Sequence, residues 1–407
     1  MNLQIYNFLA ILNDVINTNS YEKNVQIKEP VDWEDMSALA RKHNLLPIFV
    51  EGAEKYDSYR NYPGYARDMQ DAMVMVAVQT QKSEAFLDLY TKFLDCGVSP
   101  IVIKGIVVRQ LYGVYREHRV SGDEDIFIRT EEYEQVRAIL ENEGYCCKRP
   151  TLTKQQIEQI HEIVFYNEEK DFKIEVHLNI IGKENDLRTY MNDIFKNVFD
   201  QTEILEIDGV PLKVMDPTQS FLYLVFHAFK HFQRSGIGIR QMLDILLYKD
   251  AYHERIIMEQ IEEPLRKTYA DIFLQDMLWI GNHYFNQSFE VGSVCSPQEL
   301  LEDLIQNGVF GGTQKTDVLA MAIRFNMSAS GEKRGKIQAI ITGVFPTRAQ
   351  LMNSYSYLVE KPWLLPFAWI QRFRKFTKYA GKNMGQIVRE TLKKVERREP
   401  ILRKYKM

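Results

Sequence analysis

The spacing of apolar residues divides the chain into a helical beginning, a central region with strands, and a helical remainder. The beginning carries apolar residues three and four positions apart, as in DMQDAMVMVAVQTQKSEAFLDLYTKFLDCG, which ends at Gly97. The central region changes to short Val-rich and Ile-rich runs and to alternating runs, in VSPIVIKG, GDEDIFI and FKIEVHLNI. Asp208 and Gly209 separate two further extended runs and predict a β-hairpin. Helical spacing returns after Asp216, a predicted N-cap that precedes Pro217.

These changes of period predict an α+β fold, in which a small mixed β-sheet is flanked by largely helical regions. We expect an N-terminal helical region at 1–95, an α/β core at 96–215, a helical domain at 216–360 and a basic, aromatic-rich tail at 361–407. The length of 407 residues, with 45% hydrophobic and 26% charged residues, is typical of a globular protein with more than one domain.

The tail differs from the rest of the chain in charge. Residues 361–407 hold fourteen Lys or Arg and three Glu, a net charge of +11, so the remaining residues carry −15 of the total of −4. This asymmetry favours contact of the tail with an anionic surface, either a membrane or RNA, or with the acidic body itself. Aromatic residues such as Trp363 and Trp369 alternate with the basic ones, which suits an interfacial helix or a stacking surface. The alternative is that the aromatic residues cover the core of the helical domain.

The remaining composition predicts an intracellular environment. No run of about 18 apolar residues occurs, and the first residues predict an amphipathic helix rather than a signal peptide. The four cysteines have the spacing of neither a disulfide framework nor a zinc site, so no disulfide-linked partner is expected. Cys146 and Cys147 are expected to be small buried apolar groups. We therefore expect a cytoplasmic protein, which its basic tail would allow to lie at the periphery of a membrane.

Three carboxylates in the central region are candidates for a metal site. Asp123 and Asp125 are two residues apart at the start of a predicted strand, so both point to one face of the sheet. Glu175 lies on a second alternating run and would complete an oxygen cage for one or two Mg²⁺ ions, or would act as a general base. His177 shares the face of Glu175, where it would orient a carboxylate, touch substrate or lie half-buried in the core.

A second group of residues precedes this strand and is suited to phosphate. Lys104 and Gly105 end the first predicted strand where a helix begins, and a helix start offers free N–H groups to an anion. Arg119 and Ser121 stand just before the aspartates and are assigned to the same nucleotide-binding group, although Arg119 would also fit as a surface cation. The FGGT segment at 310–313 lacks a carboxylate pair and is predicted to be a loop between helices.

Four polar residues on the helices after residue 216 are candidates for an acceptor pocket. His227 and His231 are four residues apart, a spacing that can bind a transition metal, but the segment HAFKH lacks the glutamate of metalloprotease helices. Arg240 and Asp244 are also four residues apart and would line the pocket or form a structural ion pair.

Together, IVIKG, HRVSGDEDIFI, IEVHL, FHAFKH and GIGIRQMLDI resemble the uncharacterised bacterial nucleotidyltransferase family of the polymerase β-like nucleotidyltransferase superfamily. The resemblance covers about residues 95–375 and is weak near YSYLVEKPWLLPFAWIQR. It implies Mg²⁺-dependent transfer of a nucleoside monophosphate from NTP to an unknown hydroxyl acceptor, either a small molecule or a saccharide-related compound. The metal ligands implied are Asp123, Asp125 and Glu175.

The sequence departs from the family pattern at two positions. Ile106 follows Gly105 where the pattern has a second Gly or a Ser, and Glu124 stands between the aspartates where an apolar residue is expected. A buried carboxylate requires a cationic partner or loses its charge, so Glu124 must find a partner, or the local structure is open, or catalysis is impaired. A nucleotide-binding scaffold without turnover and a toxin-like tRNA nucleotidyltransferase are the alternative functions.

Overall fold

The structure of the protein is a computed structural model. It describes residues 2–16, 27–147, 157, 160–180, 188–234 and 236–308, and beyond these 345, 347–351, 355, 357–380, 393 and 396–405. The FGGT segment at 310–313 lies outside the described residues.

The beginning of the chain is helical, as the apolar spacing predicts. Its helices are α1 (Leu3–Ile16), α2 (Trp33–Lys42), α3 (Leu46–Ala53), α4 (Asp57–Arg60) and α5 (Tyr65–Asp95). Asp32 caps α2 by accepting a hydrogen bond from the N–H of Asp35 at 3.0 Å. The last turns of α5 bury Phe86, Tyr90 and Phe93 against the central sheet, and Gly97, with φ of 76°, follows the end of the helix.

The central region forms one mixed sheet of seven strands. These are β1 (Ile101–Val102), β2 (Asp123–Phe127), β3 (Cys146–Cys147), β4 (Glu162–Asn167), β5 (Phe172–His177), β6 (Thr202–Ile207) and β7 (Val210–Met215). Their order is β3-β4-β5-β2-β1-β7-β6. β1 is parallel to β7 and β2 is parallel to β5, whereas the other neighbours are antiparallel. With the helices around it, this sheet confirms the α+β fold class.

Turn residues fix the register of the sheet at its edge. Asp208 and Gly209 connect β6 to β7 with φ of 49° and 81°, the left-handed values that a two-residue hairpin needs.

Two short helices lie between strands, α6 (Ile106–Arg109) after β1 and α7 (Tyr133–Asn142) after β2. A 3₁₀ segment over Gln110–His118 leads from α6 towards β2.

Alternating residues give the sheet one apolar and one polar face. Ile126 of β2, Ile174 and Val176 of β5, and Ile163 and Phe165 of β4 are fully buried in one core cluster. The residues between them point to the opposite face and carry the polar side chains. The candidate site therefore lies on the face of the sheet that is turned away from this core.

One further helix lies between β5 and β6, and the other helices follow the sheet in the chain. They are α8 (Arg188–Ile194), α9 (Pro217–Arg234), α10 (Ile239–Ala251), α11 (Met258–Thr268), α12 (Ala270–Tyr284), α13 (Pro297–Asn307), α14 (Arg348–Leu351), α15 (Tyr357–Glu360) and α16 (Leu365–Ala380). Asp216 caps α9 by accepting hydrogen bonds from the N–H groups of Thr218 and Gln219 at 2.9 and 3.1 Å. No described helix is long and apolar enough to cross a membrane.

The chain divides into two compact units. One contains residues 1–227 and 240–294, and the other contains residues 228–239 and 295–407. The organisation into regions 1–95, 96–215, 216–360 and 361–407 stays a prediction.

The described residues of the basic tail belong to the second unit. Arg398 is fully buried and donates to both oxygens of Asp303 at 2.7 Å, and its Nη2 also donates to the carbonyl of Phe232 at 2.9 Å. The ring of Tyr405 packs edge-on against Phe232. Nearer the start of the tail, Trp363 is 71% exposed. Contact of the tail with an anionic surface stays a prediction.

The cysteines differ from the sequence-based expectation. Cys146 is exposed and Cys147 is half-buried, because β3 is a two-residue strand at the edge of the sheet. The expectation that both are buried apolar groups is wrong.

Candidate active site

Four polar side chains lie next to one another where β4, β5 and β2 run side by side. Asp125 of β2 is in register with Glu175 of the parallel strand β5, and His177 of β5 is in register with Glu162 of the antiparallel strand β4. Paired residues on neighbouring strands point to the same face of a sheet. The four side chains therefore form one polar patch.

Asp125 is buried between two cationic or hydrogen-donating groups. Lys104 Nζ lies 3.0 Å from its Oδ2, and His177 Nε2 lies 3.0 Å from its Oδ1. Burial raises the pKa of Asp125, but the charge of Lys104 and the hydrogen bond from His177 outweigh burial and hold the pKa well below its usual value. Asp125 is therefore ionised, and the Nε2–H of His177 donates to it.

Glu175 has the opposite electrostatic environment. Burial, followed by the charges of Asp125 and Asp123, raises the pKa of Glu175 to about 9, although Lys104 acts in the other direction. The carboxylates at this patch therefore carry more negative charge than Lys104 neutralises. This imbalance favours the binding of a further cation.

The sequence-predicted carboxylates converge as strand alternation requires. Ligand atoms of Asp125, Glu175 and His177 all lie within 4.8 Å of one another. Asp123 is half-buried and is not a member of that close group among the described residues, but its charge acts on Glu175 and Lys104. The convergence of Glu175 with Asp125 is confirmed, whereas the catalytic and metal-binding roles of the three carboxylates stay predictions.

Lys104 connects the strand carboxylates to the helix α9. Its Nζ contacts Asp125 and also lies 3.4 Å from Nε2 of His227, which projects from α9. Burial lowers the pKa of Lys104, but the charges of Asp125 and Asp123 together raise it by more than burial lowers it, so the pKa is above its usual value. Lys104 is therefore a fixed ammonium group inside the patch.

Glycine is required at position 105 because the carboxylate of Glu124, behind the sheet, leaves no room for a side chain there. The φ of Gly105, 64°, is left-handed, and a Cβ at this position would overlap the carboxylate of Glu124. Glu124 Oε2 accepts a hydrogen bond from the N–H of Ile106 at 2.6 Å, and Oε1 accepts one from Nη2 of Arg109 at 2.5 Å. The expectation that the helix start offers free N–H groups is therefore wrong for Ile106, because Glu124 already occupies that donor. A contact between Gly105 and phosphate stays a prediction.

Arg109 is the cationic partner that Glu124 requires. Both side chains are fully buried. Burial raises the pKa of Glu124, and the attraction of Arg109 opposes that shift. Nη1 of Arg109 donates to Oγ of Ser121 at 2.6 Å, and the N–H of Ser121 donates to Gln79. Ser121 is thus held by protein groups, and its predicted nucleotide contact stays a prediction.

Arg119, Arg240 and Asp244 form a buried charge cluster. Arg119 donates from Nε and Nη2 to the two oxygens of Asp244, at 3.0 and 2.6 Å, and the hydroxyl of Tyr112 donates to Asp244 at 2.9 Å. Arg240 donates to the carbonyl of Val120. The closest partner of Asp244 is thus Arg119, and not Arg240, the residue four positions before it.

This cluster has spare donors and excess positive charge. Nη1 of Arg119 and Nε of Arg240 are buried without hydrogen-bond partners among the described residues. Burial, followed by the charge of Arg119, lowers the pKa of Arg240 to about 10. Asp123 raises that pKa, so its charge reaches Arg240.

Three residues in or beside the patch, Tyr223, His161 and Glu162, are not identified by the sequence alone. The hydroxyl of Tyr223 is buried without a hydrogen-bond partner among the described residues, and burial and then the charge of Asp125 raise its pKa well above the usual value. Tyr223 is four residues before His227, so the helical period could have found it. Glu162 is the first residue of β4 and His161 stands directly before it, and neither residue gives a motif signal of its own.

His231 is the one predicted pocket residue that lies in the second unit. It stands near the end of α9, and its backbone carbonyl accepts a hydrogen bond from Gly236 at 2.9 Å. Its place in an acceptor pocket stays a prediction, as do those of His177, His227, Arg240 and Asp244.

A family model described as uncharacterised nucleotidyltransferase matches residues 29–286. The chain belongs to this nucleotidyltransferase family. The matched range contains the whole sheet and every polar group of the patch, so the nucleotidyltransferase is an enzyme whose candidate site lies within the family region. It also includes helices before residue 95, outside the predicted resemblance, and it ends before the segment YSYLVEKPWLLPFAWIQR. No curated protein and no solved structure matches the chain.

Proposed function

We propose that this nucleotidyltransferase depends on Mg²⁺ and transfers a nucleoside monophosphate from NTP to a hydroxyl acceptor, in the manner of the polymerase β-like superfamily. The observation that carries the proposal is the in-register pairing of Asp125 with Glu175 on parallel strands, with Asp123 two residues away on the same face. Carboxylates in this arrangement suit hard divalent cations, which prefer oxygen ligands.

The charges of the patch fit such a cation. A pKa of about 9 means that Glu175 retains a proton at neutral pH, because the side chain is buried and lies beside the charges of Asp125 and Asp123. Asp123, Asp125 and Glu175 would hold Mg²⁺, and loss of the Glu175 proton would be linked to its binding. When bound, the metal would neutralise charge on the transferring phosphoryl group. This linkage favours the metal-ligand role of Glu175 over the role of general base.

Protein groups on two sides of Asp125 would position the triphosphate. Lys104 is a buried ammonium beside Asp125, and it supplies a fixed positive charge for a phosphate oxygen. The spare N–H donors of Arg119 and Arg240 belong to a cluster whose charges reach Asp123. We propose that both arginines contribute to phosphate binding, while Gly105 and Ser121 keep the strand ends in place.

The face of α9 would form a wall of the acceptor side. His227 contacts Lys104, and the ring of Tyr223 lies 5.7 Å from that of His227. The hydroxyl of Tyr223, which has no hydrogen-bond partner in the described part of the chain, would donate to or accept from a bound hydroxyl compound. His177 would keep Asp125 oriented through its 3.0 Å hydrogen bond.

The test uses NTP labelled at the α-phosphate, Mg²⁺, and separate pools of small hydroxyl compounds, saccharides and total tRNA. We expect label transfer to a hydroxyl compound, which Asp123→Asn and Glu175→Gln abolish. Glu254→Gln is the control, because Glu254 is 86% exposed and is distant in sequence from β2 and β5, the strands that carry the three carboxylates. Mg²⁺-dependent nucleotide binding without transfer to any pool would indicate a scaffold, and label on tRNA alone would indicate the toxin-like activity.

A further inference from the structure

A second set of metal-ligand atoms adjoins the carboxylate patch. His161, Glu162 and His177 each offer one ligand atom, and these atoms all lie within 4.8 Å of one another. Two imidazole nitrogens and one carboxylate oxygen form a donor set that suits borderline transition metals better than Mg²⁺. The set shares only His177 with the group formed by Asp125 and Glu175.

The hydrogen bonds of His161 direct its other nitrogen to Glu162. Nδ1 of His161 lies 2.6 Å from the backbone carbonyl of Asn179, and a carbonyl can only accept, so Nδ1 carries a proton. Nε2 then lies 3.1 Å from Oε2 of Glu162. In a neutral ring this places two lone pairs face to face, so either a proton or a metal ion must lie between them. Donation of the outer ring N–H to a carbonyl is also the usual arrangement of a metal-binding histidine.

His177 adds a buried nitrogen with no hydrogen-bond partner. Its side chain is 2% exposed, and its Nε2–H donates to Asp125. In a neutral ring Nδ1 then bears the lone pair. Nδ1 has no hydrogen-bond partner among the described residues and lies 4.0 Å from Oε2 of Glu162. Leaving such an acceptor buried and unpaired is unfavourable, because its hydrogen bond to water is lost and not replaced. A metal ion bound between Nδ1 and Oε2 would remove that cost.

The separations of the ligand atoms fit a transition metal. Bonds of about 2.0–2.2 Å in tetrahedral geometry place ligand atoms roughly 3.4 Å apart. The observed separations of 3.1 and 4.0 Å lie on either side of that value. The backbone is fixed at this point, because the carbonyl of His161 accepts from the N–H groups of Leu178 and Asn179 at 2.9 and 3.3 Å.

We propose that His161, Glu162 and His177 bind one divalent transition metal of the Zn²⁺ type, separate from the ion at the carboxylates. The side chain of Glu162 is 37% exposed, so a fourth ligand can enter from solvent. His177 would bind the metal through Nδ1 while its Nε2–H donates to Asp125. This is the carboxylate–histidine–metal arrangement that fixes the orientation of a ligating histidine. His177 is thus a positioning residue that couples this ion to the orientation of Asp125.

The test is Co²⁺ titration of the full chain after treatment with chelator, because tetrahedral Co²⁺ absorbs visible light much more strongly than octahedral Co²⁺. We expect one Co²⁺ with intense bands that excess Zn²⁺ abolishes and excess Mg²⁺ leaves unchanged. His161→Gln and Glu162→Gln should lose the bands and weaken binding by roughly tenfold or more. Asp123→Asn should keep them.

The matched control is His253→Gln, which alters an exposed histidine beside Glu254 at 3.9 Å and should change nothing. Far-ultraviolet circular dichroism separates ligand loss from unfolding, and Glu162→Gln keeps the shape of a partly exposed side chain. Intense bands that persist in both His161→Gln and Glu162→Gln would overturn the proposal. Absence of such bands in the unaltered protein would also overturn it and leave His161 as a protonated partner of Glu162.

Discussion

Glu124 Oε2 accepts a hydrogen bond from the backbone N–H of Ile106 at 2.6 Å, although Glu124 stands between two candidate metal ligands. The carboxylate reaches behind the sheet and fixes the turn that follows β1. Arg109 neutralises it at 2.5 Å. Glu124, the charged residue that departs from the family pattern, thus fixes the turn at Gly105 and with it the position of Lys104, the residue before that glycine.

We expect Gly105→Ala to destabilise the protein strongly. Gly105 has φ of 64° and ψ of −116°, a sparsely populated region that disfavours any Cβ by about 1–3 kcal/mol, and the new methyl group would overlap the Glu124 carboxylate. Urea unfolding should show the loss, and the companion Gly113→Ala, also at positive φ but with open space around its Cβ, should lose only the backbone term. Equal losses at the two positions would contradict a role for Glu124 in selecting glycine.

Asp123 and Asp125 should respond differently to substitution by Asn. Clustering of carboxylates alone predicts that either change leaves the melting temperature unchanged or slightly higher. Asp125, however, is buried with Lys104 and His177, so Asp125→Asn should destabilise by about 3 kcal/mol. Asp123→Asn should stay within about 0.5 kcal/mol. Thermal unfolding in chelator measures both, and equal, large losses would mark both residues as structural.

The sequence predicts the strand carboxylates well because alternation is a local property. Asp125, Glu175 and His177 fall on one face as their spacing requires. The partners of Arg119 and Glu124 could not be predicted, since they come from residues distant in the chain. Asp244 is 125 residues from Arg119, and the nearer i,i+4 candidate Arg240 is a local pattern that tertiary packing overrides.

The ends of helices can also be predicted from local signals, whereas the contacts between helices and the sheet cannot. Asp216 and Gly97 are local signals, and they mark helix ends as predicted. Tyr223 is one helical turn before His227, which is a local signal, but the place of its hydroxyl beside Asp125 depends on how α9 packs. The burial of a hydroxyl beside carboxylates is visible only in three dimensions.

The stability of the metal-free protein should fall as pH rises through the neutral range. The pKa of Glu175 is raised from 4.5 to about 9, so between these values the folded state retains a proton that the unfolded state has released. Rising pH therefore favours unfolding across this window. Melting temperatures in chelator from pH 5 to pH 9 should decline, and Glu175→Gln should reduce the decline, whereas Glu254→Gln should not. Millimolar Mg²⁺ should also reduce it, and a decline that Glu175→Gln leaves intact would assign it to other groups.

The end of the basic tail should be needed for the stability of the second unit. Arg398 is fully buried and paired with Asp303 through two hydrogen bonds, so Arg398→Met would leave the Asp303 carboxylate buried without its cation. We expect a loss of about 3–5 kcal/mol, which urea unfolding can measure. The matched control is Arg403→Met, because Arg403 is 68% exposed and its pair with Glu399 should contribute less than about 1 kcal/mol. If Arg398→Met were as stable as Arg403→Met, the pair of Arg398 with Asp303 would not anchor this part of the tail. The role of the tail would then be decided by measuring whether both variants are retained on anionic liposomes or RNA at low salt.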